Sequence, residues 1–251
     1  MQITSPQNDK LKTVRKLRAR RRDRELASAF VAEGEDLLAA ADANGWRALE
    51  RFAAVGSGLP GIEVELQLLR SVSELASGAR TLAVYEQRWA PAPRGRICVH
   101  LDGVSDPGNV GAVLRSAAAF GAGSVSLGPG SADPYGPKAV RASMGGIFAV
   151  PVTRERTRAD DAAQADTLAR LPGLRVALVA DATDTLADMV EDLGPQAEVS
   201  VMVGAERNGL APELIDGADH VVRIPIATES LNAALAATIA LYELTRRITG
   251  R

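Results

Sequence analysis

The chain has 251 residues, 46% of them hydrophobic and 24% charged, with a net charge of −2. That is ordinary globular composition, with length enough for a sizeable core and one or two domains. One cysteine, Cys98, rules out an intramolecular disulfide, and two histidines leave no Cys/His cluster, so no metal is expected. The longest apolar stretch near the end, Ala233 to Leu241, is far short of the roughly 20 residues a membrane span needs. With no signal peptide visible either, a reducing cytoplasm is the expected location.

The first 24 residues hold Lys10, Lys12, Arg15, Lys16, Arg18, Arg20, Arg21, Arg22 and Arg24 against only Asp9 and Asp23. Leu11, Val14 and Leu17 recur at spacings of three, which predicts a helix with one apolar edge and broad basic faces. Such an arm reads as an electrostatic footprint for phosphates, or as a solvated helix docked by its apolar edge. Strands are expected at Ala29 to Ala32, Phe52 to Val55 and Arg80 to Glu86, with helices at Glu35 to Ala43 and Ser73 to Ser77. This is a small α/β block of mixed order, covering residues 1–88. Trp89 to Gly95, with two prolines and a glycine and no period, reads as a linker.

From Arg96 onward strands and helices alternate. The expected strands are Arg96 to Leu101, Ser124 to Leu127, Ala149 to Val152, Arg175 to Ala180, Val199 to Val203 and His220 to Ile224. An alanine-rich surface helix is expected over Ala159 to Leu171. Alternation of this kind predicts a parallel sheet with helices on both faces over residues 96–251. No GxGxxG follows a strand, since Gly121-Ala122-Gly123 runs into Ser124-Val125-Ser126, so a dinucleotide fingerprint is missing.

Four polar segments sit where strands end. Asp102-Gly103-Val104-Ser105-Asp106-Pro107-Gly108-Asn109 leads into a helix from Val110 to Phe120, with Asn109 the expected cap and Gly121 the stop. Arg115 stands out there among Val113, Leu114, Ala117, Ala118 and Ala119. Gly204-Ala205-Glu206-Arg207-Asn208-Gly209-Leu210, then Arg223-Ile224-Pro225, then Glu229-Ser230-Leu231-Asn232 follow the later strands, and the last feeds a helix from Ala233 to Arg247. Open α/β sheets bind ligands outside the carboxyl ends of their strands. Each loop taken singly is an ordinary strand exit.

Together these segments resemble the three signature motifs of the SpoU/TrmH family, S-adenosylmethionine-dependent RNA ribose 2′-O-methyltransferases of the SPOUT class. The resemblance spans about Arg96 to Arg247, and Pro137 to Gly146 is similar to a further family stretch. It implies a trefoil knot at the carboxyl end. It also implies a methyl donor, S-adenosylmethionine, bound in a bent shape among three loops by backbone groups of Gly204, Ile224 and Leu231, with Asn232 and Ser230 close by. Gly204 then makes sense if the backbone approaches a ligand closely. Arg115 is implied as the catalytic residue, surrounded by Asn109, Glu206, Ser230 and Asn232. Ala234 stands where many relatives carry a small polar residue.

More loosely, Asn8-Asp9-Lys10, the Lys/Arg run and Phe30 to Gly34 resemble the substrate-binding domain found in front of SpoU catalytic domains, related to an L30e-type RNA-binding fold. On that reading Lys10, Lys12, Arg15, Arg18, Arg20, Arg21 and Arg22 contact RNA. Relatives are homodimers, and the helix from Leu231 to Arg247, through Leu235, Ile239, Leu241 and Leu244, offers either a dimer surface or a core element. The extra amino-terminal block favours 23S ribosomal RNA as substrate. The alternatives are transfer RNA or a non-catalytic RNA-binding protein on the same fold. Antibiotic-resistance methylases share the layout.

Overall fold

The computed structural model describes residues 2–73, 78–155 and 167–250. The amino-terminal half builds one sheet from β1 (Gln2–Ile3), β2 (Ala29–Glu33), β3 (Glu50–Ala54), β4 (Ile62–Val64) and β5 (Thr81–Glu86), in the order β1-β4-β3-β5-β2. β1, β4 and β3 run parallel and β5 is antiparallel to both neighbours, so the sheet is mixed. Helices α1 (Asp9–Ala19), α2 (Arg21–Ala27), α3 (Glu35–Ala43) and α4 (Leu66–Ser71) accompany it. Strands β1 and β4 and helix α4 go beyond the expected set: two or three residues carry too little alternation to register as a strand, and the six of α4 make under two helical turns. Of the helix expected at Ser73 to Ser77, Ser73 is not helical and the rest lies outside the described residues.

The single basic helix expected at the start is two. Leu11, Val14 and Leu17 are buried as their spacing required, but Arg20 is extended (φ −135°, ψ 130°) and separates α1 from α2. The break turns Arg24 inward. Its Nη1 donates to the Leu17 carbonyl at 2.8 Å, while Nε and Nη2 donate to Asp133 Oδ2 at 2.9 and 2.7 Å. One cation of the basic run is thereby spent inside the protein.

The carboxyl-terminal half is a seven-stranded, wholly parallel sheet of order β10-β12-β9-β11-β6-β7-β8. Its strands are β6 (Ile97–Asp102), β7 (Ser124–Leu127), β8 (Val152–Arg154), β9 (Leu174–Leu178), β10 (Asp184–Thr185), β11 (Val199–Gly204) and β12 (His220–Arg223). Its helices include α5 (Pro107–Phe120), α6 (Pro137–Ala142), α7 (Gly146–Ala149), α8 (Leu186–Glu191), α9 (Pro212–Asp216) and α10 (Ala233–Thr249). The strand expected at Ala149 to Val152 begins only at Val152. Ala149 closes α7, and Val150 is extended ahead of Pro151, as a residue before proline prefers. Most of the helix expected over Ala159 to Leu171 lies outside the described residues. Cys98 is buried in β6, and burial pushes its thiol up to about 11, a core residue and no nucleophile.

The two halves share one core. Phe30, Trp46 and Tyr85 pack with Tyr135 and Phe148, the closest ring centroids being Phe30–Tyr135 at 4.7 Å and Tyr85–Phe148 at 5.1 Å. The Trp46 indole donates to the Phe148 carbonyl at 2.9 Å. The stretch read as a linker is bound along its length. Ala90 N–H donates to the Val152 carbonyl at 2.8 Å, Arg94 N–H donates to Ser124 Oγ at 2.8 Å, and Trp89 packs edge-on to Tyr135 at 5.0 Å.

Arg24 and Asp133 keep only 7% and 10% of their side chains exposed. Removing one partner of such a pair leaves an uncompensated buried charge, at a cost of about 3–5 kcal/mol. Asp133→Ala is therefore expected to lower stability by about 3 kcal/mol in urea unfolding, with a single cooperative transition retained. A loss below about 1 kcal/mol would mean that the pair does not join the halves.

Candidate active site

The site is built from the central strand pair. β6 and β11 run side by side from Ile97 opposite Val199 to Asp102 opposite Gly204, so their last residues are neighbours at one edge. The strand order reverses here, with β7 and β8 on one side of β6 and β11 and β9 on the other, which is where open parallel sheets form a crevice.

Helix α5 begins three residues earlier than expected, and Asn109 is not its cap. Asp106 is: its side chain accepts from Asn109 N–H at 3.0 Å, with Pro107 in the first helical turn. An Asp-Pro step is itself a helix-start signal that identifies this cap. Lys138 on α6 donates to Asp106 at 2.7 Å and holds its carboxyl below the usual range. Gly111 lets α6 approach, because a Cβ there would lie 2.4 Å from the Ala139 carbonyl oxygen.

Released from capping, the Asn109 side chain links two distant loops. Its Nδ2 donates to Glu206 Oε1, and its Oδ1 accepts from Asn232 Nδ2 at 3.0 Å. Asn232 is the cap of α10, its Oδ1 accepting from Ala234 N–H at 2.9 Å and Leu235 N–H at 3.2 Å. Three of the five expected catalytic residues, Asn109, Glu206 and Asn232, thus form one hydrogen-bonded chain. Ala234 contributes its backbone to that cap, so a side-chain hydroxyl there is not needed for it.

The loop after β11 folds back on itself. Ala205 and Gly209 exchange backbone hydrogen bonds of 3.2 and 2.9 Å, and Gly209 takes φ +67°. A Cβ on Gly204 would lie 2.1 Å from the Gly209 carbonyl carbon. Gly204 is therefore required by its own loop whatever the cavity holds. A cavity of about 430 Å³ lies beside this turn, lined by Gly204, Glu206, Ile224, Ser230 and Leu231, together with Leu178 to Asp181 after β9 and Glu229. The β9 exit was missed because Val179-Ala180-Asp181 carries no turn or glycine signal. On the other side of the turn a cavity of about 790 Å³ is lined by Asp102, Ser105, Glu206, Arg207 and Asn208.

Arg115 and Ser230 are not part of the hydrogen-bonded chain. Ser230 is exposed on the first cavity. Arg115 is exposed six residues beyond Asn109, about 9 Å along the helix axis, and has no hydrogen-bond or ionic partner among the described residues. On α10, Leu241 and Leu244 are core residues and offer no dimer surface; Leu235, Ile239 and Tyr242 form the exposed stripe. In the basic run Arg18 pairs with Glu33 at 3.0 Å, with side chains 8% and 9% exposed, so it is not presented to a partner. Lys10 pairs with Glu50, Lys12 with Asp9, Arg21 with Glu25, and Arg15 donates to the Pro6 carbonyl. Arg20 and Arg22 are exposed and unpaired among the described residues.

Asn232→Ala removes the cap and the link to Asn109, and about 1 kcal/mol of stability should go with it. Asn232→Asp keeps a capping oxygen but loses the Nδ2 donor. Its urea midpoint is expected to stay near that of the parent while its turnover falls; parent-like turnover would detach the chain from the chemistry.

The model of the SpoU rRNA methylase family matches residues 96–242. Over 97% of this chain and 98% of its relative, the sequence is 27% identical to the 23S rRNA (guanosine(2553)-2′-O)-methyltransferase RlmP of Bacillus subtilis. It is 37% identical over 61% of this chain to the 23S rRNA (uridine(2479)-2′-O)-methyltransferase of Streptomyces viridochromogenes, of which that match spans 54%. The crystal structure of an AdoMet-bound rRNA methyltransferase from Sinorhizobium meliloti superposes with a TM-score of 0.82, covering 98% of this chain and 97% of that one at 30% identity. Among the described residues no helix is long and apolar enough to cross a membrane. With the family's motifs meeting at one edge of a parallel sheet, this chain belongs to the SpoU rRNA methylase family.

Proposed function

We propose that this protein transfers a methyl group from S-adenosylmethionine to the 2′-hydroxyl of a ribose in 23S ribosomal RNA. The observation that carries the proposal is the Asn232–Asn109–Glu206 chain beside the three-loop cavity, in a member of this family. The cavity suits the donor. Its volume is in the range of small-molecule sites, Leu178, Val203, Ile224 and Leu231 give apolar walls for an adenine, and backbone groups of Gly204, Ile224 and Leu231 are at hand for its polar edges. When bound, the donor supplies a methyl carbon already activated by a sulfonium.

The protein's task is then alignment and help with one proton. The Asn109–Glu206 pair is assigned to orienting the ribose hydroxyl. A guanidinium keeps its proton near neutral pH, so Arg115 is assigned to gripping a phosphate of the target strand by a charge-assisted fork, not to acting as base. Its distance along α5 from Asn109 fits a homodimer in which the stripe Leu235, Ile239 and Tyr242 packs against a second copy and each Arg115 serves the partner's site. α5 and α10 are already joined beside that stripe, through Ser116 Oγ and Thr238 Oγ1 at 2.7 Å and the Phe120–Tyr242 ring pair. A trefoil knot agrees with the path of the chain, which leaves β12 near one edge of the sheet and returns with α10 against α5, β6 and β11. Residues 1–88 are the RNA-substrate domain, residues 89–95 the connection, and residues 96–251 the transferase unit, acting on ribosomes in the cytoplasm.

Ribosomal and transfer RNA from cells with and without the gene, digested to nucleosides and resolved by mass spectrometry, tests the reading. A 2′-O-methyl ribose missing from the 23S RNA of the deletion strain is expected. A methylated base would sink the ribose assignment, and a loss confined to transfer RNA would move the substrate. Arg115→Ala should lower turnover by at least about a hundredfold while folding and donor binding persist.

The free cations of the arm make a second expectation. Each phosphate neutralised contributes about 0.7 to 0.9 to the slope of log affinity against log salt. Arg20→Glu with Arg22→Glu should flatten the slope for ribosomal RNA by about one to two in filter binding. An unchanged slope would put the RNA surface elsewhere.

A further inference from the structure

The larger cavity shares the turn Ala205 to Leu210, Glu206 included, with the proposed donor cavity, and extends from it to Asp102, Ser105 and Pro212. We propose that it receives the base of the target nucleotide, and that Asp102 selects a base carrying a ring N–H, guanine or uracil. This rests on the ribose-methylation reading above.

Position comes first. A hydroxyl held at the Asn109–Glu206 pair belongs to a sugar whose base is one ring away, and the cavity bordered by Glu206 is the adjoining space. Its volume of about 790 Å³ accommodates a nucleoside with its flanking phosphate. Pro212 gives it an exposed apolar surface against which a base can lie, and Arg207 stands exposed on its rim.

Chemistry makes the selection. Asp102 is the last residue of β6 and half-buried on the cavity wall. Its Oδ2 accepts from Ala211 N–H at 3.1 Å, which anchors one carboxylate oxygen. No Lys or Arg pairs with it among the described residues, unlike Asp106, which Lys138 holds. An ionised carboxylate only accepts hydrogen bonds. Guanine N1 and uracil N3 each carry a hydrogen at the middle of the pairing edge. Adenine N1 and cytosine N3 present a lone pair at that place, which a carboxylate repels. Sites that bond a specific N–H reject analogues lacking it, because the protein's acceptor is left unpaired.

The test uses the full-length protein and RNA fragments carrying G, U, A or C at the methylated position. Two further fragments carry N1-methylguanosine or N3-methyluridine there. Label transfer from S-adenosylmethionine gives kcat/KM for the wild type and for Asp102→Asn, which keeps an oxygen for Ala211 N–H but adds a donor. The wild type is expected to favour G and U over A and C by about tenfold or more, and to lose the same factor when the ring nitrogen is methylated. Asp102→Asn should narrow or invert that ratio with donor titration unchanged. Equal wild-type rates on all four bases overturn the inference without reference to any variant. So does a variant whose rates all fall by one factor, the mark of a purely structural Asp102. Transfer to no RNA by the wild type overturns the proposed function itself, and this inference with it.

Discussion

The register of β6 on β11 is the constraint from which the rest of the site hangs. Six consecutive residue pairs, from Ile97 opposite Val199 to Asp102 opposite Gly204, bring two loops a hundred residues apart in sequence to the same edge. A slip of one residue would turn every side chain of β11 to the other face and carry Gly204 away from Asp102. Both faces are buried but differ: Val99, Leu101, Val201 and Val203 join one core, while Cys98 and Met202 join another beside the polar His100 and Ser200, so a slip would exchange the two sets. Asp102 then ties the two loops a second time through Ala211 N–H. Burial raises the carboxyl of Asp102 above its ordinary range, opposed by that hydrogen bond, so its charge is held at a cost that a surface aspartate would not bear.

Two helix amino termini meet the carboxyl end of β11 at this edge. α5 is capped by Asp106 and α10 by Asn232, and the Asn109 side chain lies between them and Glu206. The positive ends of helices 14 and 17 residues long favour an anionic group beside them. Glu206 is that group in the free protein, and a phosphate of RNA is a natural second one. The division of labour among the polar residues follows from geometry. Asp106 does the capping, so Asn109 can donate to one loop and accept from another, which an aspartate at that place could not do.

The amino-terminal half enters through rigidity. Phe30, Trp46 and Tyr85 complete a core begun by Tyr135 and Phe148, and Arg24 reaches Asp133 across the junction. A second ion pair, Arg154 to Glu25 at 2.8 Å, lies beside it. The basic run is therefore no free arm: α1 packs its apolar edge into the core of the amino-terminal sheet, and α2 reaches across to the transferase half. Much of its charge is absorbed on the way, by Glu33, Glu50 and Asp133, and what stays open to a partner is concentrated at Lys16, Arg20 and Arg22.

The sequence by itself determined the alternating second half, the strands beside each motif, the mixed order of the first half and the buried edge of α1. Those follow from periodicity and from glycine and proline, which act locally. It also carried the family's motifs, and so the identity of the polar residues that meet at the sheet edge. Tertiary structure alone decided what each of those residues touches. The Asn109 side chain joined Glu206 to Asn232, Gly204 proved to be required by its own loop, Arg18 and Arg24 turned inward, and α10 kept Leu241 and Leu244 for the core while leaving Leu235, Ile239 and Tyr242 outside. In each case the partner lies far along the chain or is a backbone atom of the folded loop. No local spacing encodes such a contact, because it exists only once distant segments have met.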